Sequence, residues 1–130
     1  MLINLSNHPS DRWGEKQMHL TNEMFGAVLD LPFPPIDPEA DENEVKELAN
    51  DYFNRVTAIF DECANEPKPN AVHIQGEFTF VFALVSLLLS SGIKCVASTT
   101  RRTVEEEANG KKISVFEFVK FREYRIGVRG

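Results

Sequence analysis

A chain of 130 residues suits one domain, and its 42% hydrophobic and 26% charged content is that of a globular protein, which excludes global disorder. The net charge of −6 is uneven: residues 1–66 carry four basic and fourteen acidic side chains (−10), residues 67–130 ten basic and six acidic (+4). That acidity argues against a general grip on duplex DNA, which needs many neutralised phosphates, but leaves room for a small anionic ligand held by a few local donors.

Leu2-Ile3-Asn4-Leu5 is short and apolar, has no basic segment before it as a signal peptide would, and reads as strand one, ending in the turn Ser6-Asn7-His8-Pro9. Ser10 is placed to cap a helix carrying Trp13, Gln17, Met18 and Leu20 and interrupted by Gly14. Ala27–Leu31 is strand two, stopped by the stiff run Pro32-Phe33-Pro34-Pro35. The clearest helix starts near Asp41, which with Glu44 forms an acidic capping box. Val45, Leu48, Tyr52, Val56, Ile59 and Cys63 then follow the three-four spacing of one buried face. The acidic run from Glu39 to Glu66 otherwise reads as a solvated helix face, and residues 65–70, with two prolines, as a loop.

Ala71–Ile74 is strand three, entering the turn Gln75-Gly76-Glu77. Phe78 to Leu89 is apolar on nearly every side, too short for a bilayer span of about 20 residues, and closes on Ser90-Ser91-Gly92. It reads as a helix needing cover on both sides, from the sheet and from a second subunit. Ile93–Ala97 is strand four. Asn109-Gly110 between β-prone runs marks a hairpin, so Thr100–Glu107 and Lys112–Ile126 are expected as an antiparallel pair at one sheet edge, where mixed Lys, Arg and Glu guard against aggregation.

Strands alternating with helices predict a single α/β domain over residues 1–130. Its expected form is a doubly wound, mostly parallel sheet of order about 2-1-3-4, with the hairpin at the edge. Ligands of such sheets bind beyond the strand ends where the order reverses, here between strands one and three. Three polar clusters converge there: Ser6-Asn7-His8, Gln75-Gly76-Glu77-Phe78-Thr79 and Ser98-Thr99-Thr100-Arg101-Arg102.

The chemistry of these clusters suits a phosphorylated ligand. Gly76 permits close backbone approach, the amides opening the apolar helix offer donors, Thr79, Ser98, Thr99 and Thr100 offer hydroxyls, and Arg101 and Arg102 offer charge. Glu77 works against an anion and suits a helix cap or a ribose hydroxyl. His8 is a candidate for acid–base work, against the plain reading of a turn residue before proline. His73 in a central strand reads as a satisfied core histidine, and His19 as a helix-surface residue. Trp13 and Phe33 are candidates to stack on a base, against the plain reading of core aromatics. No metal-ligand spacing, dinucleotide loop or nucleophile elbow is present, so no metal or other cofactor is expected. Cys63 and Cys95 are expected as reduced, buried thiols of a cytoplasmic protein.

Several of these segments resemble a known family. The opening Leu5-Ser6-Asn7-His8-Pro9 with Gln17, the strand-two exit Asp30-Leu31-Pro32-Phe33-Pro34 and the segment His73–Thr79 carry the likeness. So do Val96-Ala97-Ser98-Thr99-Thr100-Arg101 and Phe118-Val119-Lys120-Phe121-Arg122. Together they resemble the small single-domain CRISPR-associated proteins related to CARF domains. The resemblance implies a Rossmann-like homodimer that binds a cyclic oligoadenylate second messenger, and in ring nucleases degrades it without a metal. The ring would lie across a two-fold axis among Ser6, Asn7, His8, Gln75, Gly76, Thr79, Ser98, Thr99 and Thr100. A ribose 2′-hydroxyl would attack the adjacent phosphate, with His8 or Arg101 assisting. The chain's acidity departs from what a polyanionic ligand favours. Two other readings stay open beside it: a non-catalytic nucleotide-sensing homodimer, and a dimeric interaction protein without a small ligand. An unrelated enzyme acting on a small metabolite stays open as well.

Overall fold

Leu2–Leu5 and Ala71–Ile74 are buried at every position, which strands achieve only with neighbours at both edges and layers on both faces. They are β1 and β3 of a computed structural model that describes residues 1–64, 67–127 and 129. The other elements are α1 (Glu15–Phe25), β2 (Val28–Asp30), α2 (Glu42–Glu62), α3 (Phe78–Ser90), β4 (Lys94–Glu106) and β5 (Lys112–Glu123). Of the predicted loop 65–70, Asn65 and Glu66 lie outside the described residues.

The five strands form one mixed sheet of order β2-β1-β3-β4-β5. The first four run parallel, β1 in register with β3 from Leu2 opposite Ala71 to Leu5 opposite Ile74. β5 returns antiparallel along β4. The predicted order of the parallel strands and the edge hairpin therefore stand. Alternation along the strands feeds two cores. Ile3, Leu5, Val72, Ile74 and Cys95 face α2 and α3, while Leu2, Ala71, Val96 and Phe121 face the side of α1, where they meet Phe25.

Local signals explain most boundaries. Asp41 caps α2 by accepting from the Glu44 amide at 2.8 Å, as its capping-box pattern requires. The buried face of α2 runs Val45, Ala49, Tyr52, Val56 and Phe60. Leu48 and Ile59 pack at its margin and Cys63 is only half-buried, because the face is turned about one position from the predicted stripe. α3 buries Phe80, Val81, Leu84, Val85 and Leu88, but Phe78 and Phe82 on its outer side are 89% and 76% exposed. The hairpin turns through Asn109 and Gly110, the glycine at φ +81° and the Asn109 side chain accepting from the Lys111 amide.

Two expectations are corrected. Ser10 does not cap α1. Its amide and hydroxyl bond the Asp30 carboxylate at 3.1 and 2.9 Å, residues Ser10–Arg12 form a short 3-10 turn, and the helix starts after Gly14. An ionised carboxylate within reach is the stronger acceptor, so the serine stitches the first loop to β2. Nor does strand four stop at Ala97. β4 continues through Ser98–Arg102 to Glu106, because β5 supplies a partner for the whole polar run. Among the described residues, no helix is long and apolar enough to cross a membrane.

Candidate functional site

On the α1 side of the sheet a crevice of about 860 Å³ opens between the turn after β1, the start of α1, the end of β3 and the base of the hairpin. Its floor is a continuous hydrogen-bonded array. Asn4 on β1 is 2% exposed, and its amide nitrogen donates to the His8 carbonyl and to Asp30 Oδ1, both at 2.8 Å. Two acceptors on that nitrogen fix the orientation of the amide, so Oδ1 faces the Ser6 hydroxyl at 2.8 Å and His73 Nδ1 at 2.9 Å. Because Oδ1 only accepts, the network assigns the His73 proton to Nδ1. Nε2 then accepts from the Ser98 hydroxyl at 2.7 Å, and Gln17 Nε2 donates to the same hydroxyl at 3.0 Å. His73 is therefore a satisfied core histidine whose outer nitrogen reaches the floor of the crevice. Burial pushes its pKa down from 6.5 to about 4, so the ring is neutral at pH 7.

Gln75 extends β3 by one rung. Its side-chain amide accepts from Ser98 N at 3.1 Å and donates to Ser98 O at 3.2 Å, as a neighbouring strand would. Trp13 forms a wall. Its Nε1 donates to the His8 carbonyl at 3.1 Å, and its ring meets His73 edge-on at 5.2 Å between centroids. Phe116 and Phe118 also line it, and His8, Arg12, Lys16, Glu15 and Glu117 bring charge or polarity to the lining.

Six of the expected site residues line this crevice together: His8, Trp13, Gln17, Gln75, Ser98 and Thr100. Ser6 lies beneath it, buried and bonded to Asn4, and Asn7 is exposed in the turn beside it. The remainder lie elsewhere. Glu77 caps α3, its carboxylate accepting from the amides of Thr79 and Phe80 at 2.9 Å and from the Thr79 hydroxyl. The helix start expected to hold a phosphate is thus already occupied by an anion of the chain itself. The Thr79 hydroxyl, and then the two amides, hold the Glu77 carboxyl below its usual pKa.

At Gly76 a built Cβ would lie 2.3 Å from the Phe33 ring, so the close approach the glycine permits in this structure is that of an aromatic side chain. Phe33 in turn packs edge-on against Phe80, in the core shared with α2 and α3. Thr99 exchanges hydrogen bonds with the Lys120 backbone across the bulged register of the hairpin. Arg101 and Arg102 are exposed further out, Arg102 donating to the Ser114 hydroxyl. They are not in the lining, although Glu117 and Phe116, their partners across the hairpin, are, and the Arg102 guanidinium is turned to Ser114 instead.

The sequence did not point to Asn4, Arg12, Lys16, Phe116 or Phe118 as site residues, although Phe118 lies in a segment that carries the family resemblance. Asn4 had one signal, a carboxamide in the middle of a fully apolar strand, where an unpaired polar group would be costly. Among the described residues, no group of three or more His, Cys, Asp or Glu side chains is placed to hold a metal ion.

A family model described as "Uncharacterized protein MJ1673 family" matches residues 1–122, from β1 to the last residue but one of β5. No curated protein matches the chain, and no solved structure does.

Proposed function

We propose a function from one premise: the chain belongs to the Uncharacterized protein MJ1673 family, and the reading starts from the crevice within the matched span. The protein binds a cyclic oligoadenylate second messenger and cleaves it without a metal, as a Rossmann-like ring nuclease of CRISPR antiviral signalling in the cytoplasm, working as a homodimer. The observation that carries this reading is the mixture of groups in one open crevice. Trp13, Phe116 and Phe118 offer aromatic surface to adenine. Gln17, Gln75, Ser98 and Thr100 offer amides and hydroxyls to ribose and phosphate, and Arg12, Lys16 and His8 offer cationic or hydrogen-bonding groups to a bridging phosphate.

In the reaction, a ribose 2′-oxygen bonds to the adjacent phosphorus while the bond from phosphorus to the 5′-oxygen breaks. A 2′,3′-cyclic phosphate and a 5′-hydroxyl result. The 2′-hydroxyl proton passes through the Ser98 hydroxyl to His73 Nε2, which is unprotonated and 2.7 Å away. Asn4 holds the ring in that tautomer from the other side. Because a deeply buried imidazole is a weak base, most of the acceleration comes from in-line positioning and from charge stabilisation at Arg12 and Lys16. His8, on the crevice wall, is the group to protonate the departing 5′-oxygen. Arg101 takes no part.

Incubation with cyclic tetra-adenylate, with and without chelator, tests the proposal by calorimetry and by chromatography of the recovered ligand. Binding with chelator-resistant conversion to a linear product supports it, and Ser98→Ala should then slow conversion at least tenfold while retaining binding. Tight binding with intact ligand would make the protein a sensor instead. Absence of binding would remove the proposal.

A further inference from the structure

Among the described residues the outer edge of β4 has no neighbouring strand beyond Ser98, since β3 ends at Ile74 and the Gln75 amide supplies the last rung. The direction of the backbone along this edge is fixed at both ends. Cys95 O accepts from Tyr124 N and Glu107 N donates to Lys111 O, so odd-numbered residues turn their peptide groups toward β5. Ser98 turns its own to the other side. Alternation leaves the N–H and C=O groups of Thr100, Arg102, Val104 and Glu106 along a bare edge, a template for another strand.

The side chains on that edge have a self-complementary order. The run Thr100-Arg101-Arg102-Thr103-Val104-Glu105-Glu106-Glu107 has its cations before Val104 and its anions after it. Among the described residues none of these charges is ion-paired within the chain, and Val104 is 60% exposed. Two antiparallel copies can align only in registers that set outward-facing residues opposite outward-facing ones. Centred on Val104, that rule sets Val104 against Val104, Arg102 against Glu106 and Arg101 against Glu107, each charge pair occurring twice about the two-fold axis. Centring on Thr103 leaves Arg102 opposite Val104, and centring on Glu105 sets that carboxylate against itself.

We infer that this edge is a docking surface for a second copy of the same chain, the two hairpins joining through residues 102–106 into a four-stranded ribbon. The inference does not rest on the proposed activity, but it changes one expectation attached to it. With about 3.4 Å per residue along a strand, the two Ser98 residues would stand about 40 Å apart. Each crevice would then take its own ligand instead of sharing one across the axis.

Charge reversal with complementation tests the register. By sedimentation equilibrium the unaltered chain should be a dimer. Arg102→Glu alone sets Glu against Glu106 twice and Glu106→Arg alone sets Arg against Arg102 twice. Each should raise the dimer dissociation constant about tenfold or more. An equimolar mixture of the two variants restores opposite charges at both pairs and should return to the unaltered affinity as a heterodimer, which also shows that both variants fold. A monomeric unaltered chain, variants that dimerise as before, or a mixture that fails to recover would each overturn the inference.

Discussion

Acidification should weaken this fold through one side chain before the carboxylates respond. His73 is 2% exposed and donates from Nδ1 to an oxygen that can only accept, so a proton added at Nε2 must be held without water. Burial lowers its pKa from 6.5 to about 4. The unfolded chain therefore takes up a proton that the folded chain refuses as pH falls from about 6.5 to about 4. Stability is highest above that window, declines through it and levels off below it. Linkage between those two values gives a loss of about 2 kcal/mol between pH 7.5 and 5, and about 3 kcal/mol by pH 4. Glu77 and Glu123 have lowered pKa values, so their contribution is present above the ordinary 4.5 and is lost only at lower pH. The interval from pH 7.5 to 5 thus isolates the histidine. Urea unfolding at these two pH values should show His73→Gln losing about 2 kcal/mol less than the unaltered chain. Equal losses in the two proteins would refute the reasoning.

Two smaller perturbations test other contacts. Gly76→Ala forces a methyl group to within 2.3 Å of the Phe33 ring and should cost about 1–3 kcal/mol by thermal or urea unfolding. Combining it with Phe33→Ala should cost less than the sum of the two single changes, because the ring that clashes is gone. Asp41→Ala removes the acceptor for the Glu44 amide and should lower stability by about 1 kcal/mol, with a matching shift in the unfolding midpoint.

The elements were legible where their signals are local. Asp41 with Glu44, the run from Phe78 to Ser90, and Asn109-Gly110 each act within a few residues, and each lies where its pattern predicts. The strand order followed because short parallel strands joined by helices have few arrangements. The floor of the crevice was not legible in the same way. Asn4, His73 and Ser98 stand 69 and 25 residues apart, and their meeting depends on register across β1, β3 and β4. Ser98 and Thr99 looked like a break between strand four and the hairpin strand from Thr100, yet pairing with β5 runs through them and makes one continuous β4. Glu77 showed its capping role in the sequence, but nothing nearby announced that Phe33, 43 residues earlier, would fill the space above Gly76.

The unequal setting of the two cysteines supplies a built-in clock. Cys63, half-buried where α2 ends, is open to a thiol reagent, whereas Cys95 sits in the larger core with its pKa pushed up to about 12 by burial. A maleimide at pH 8 would mark Cys63 promptly and then wait for β4 to part from α3 before reaching the second sulfur. The slow phase of labelling would therefore read how often the central sheet opens, without any engineered cysteine.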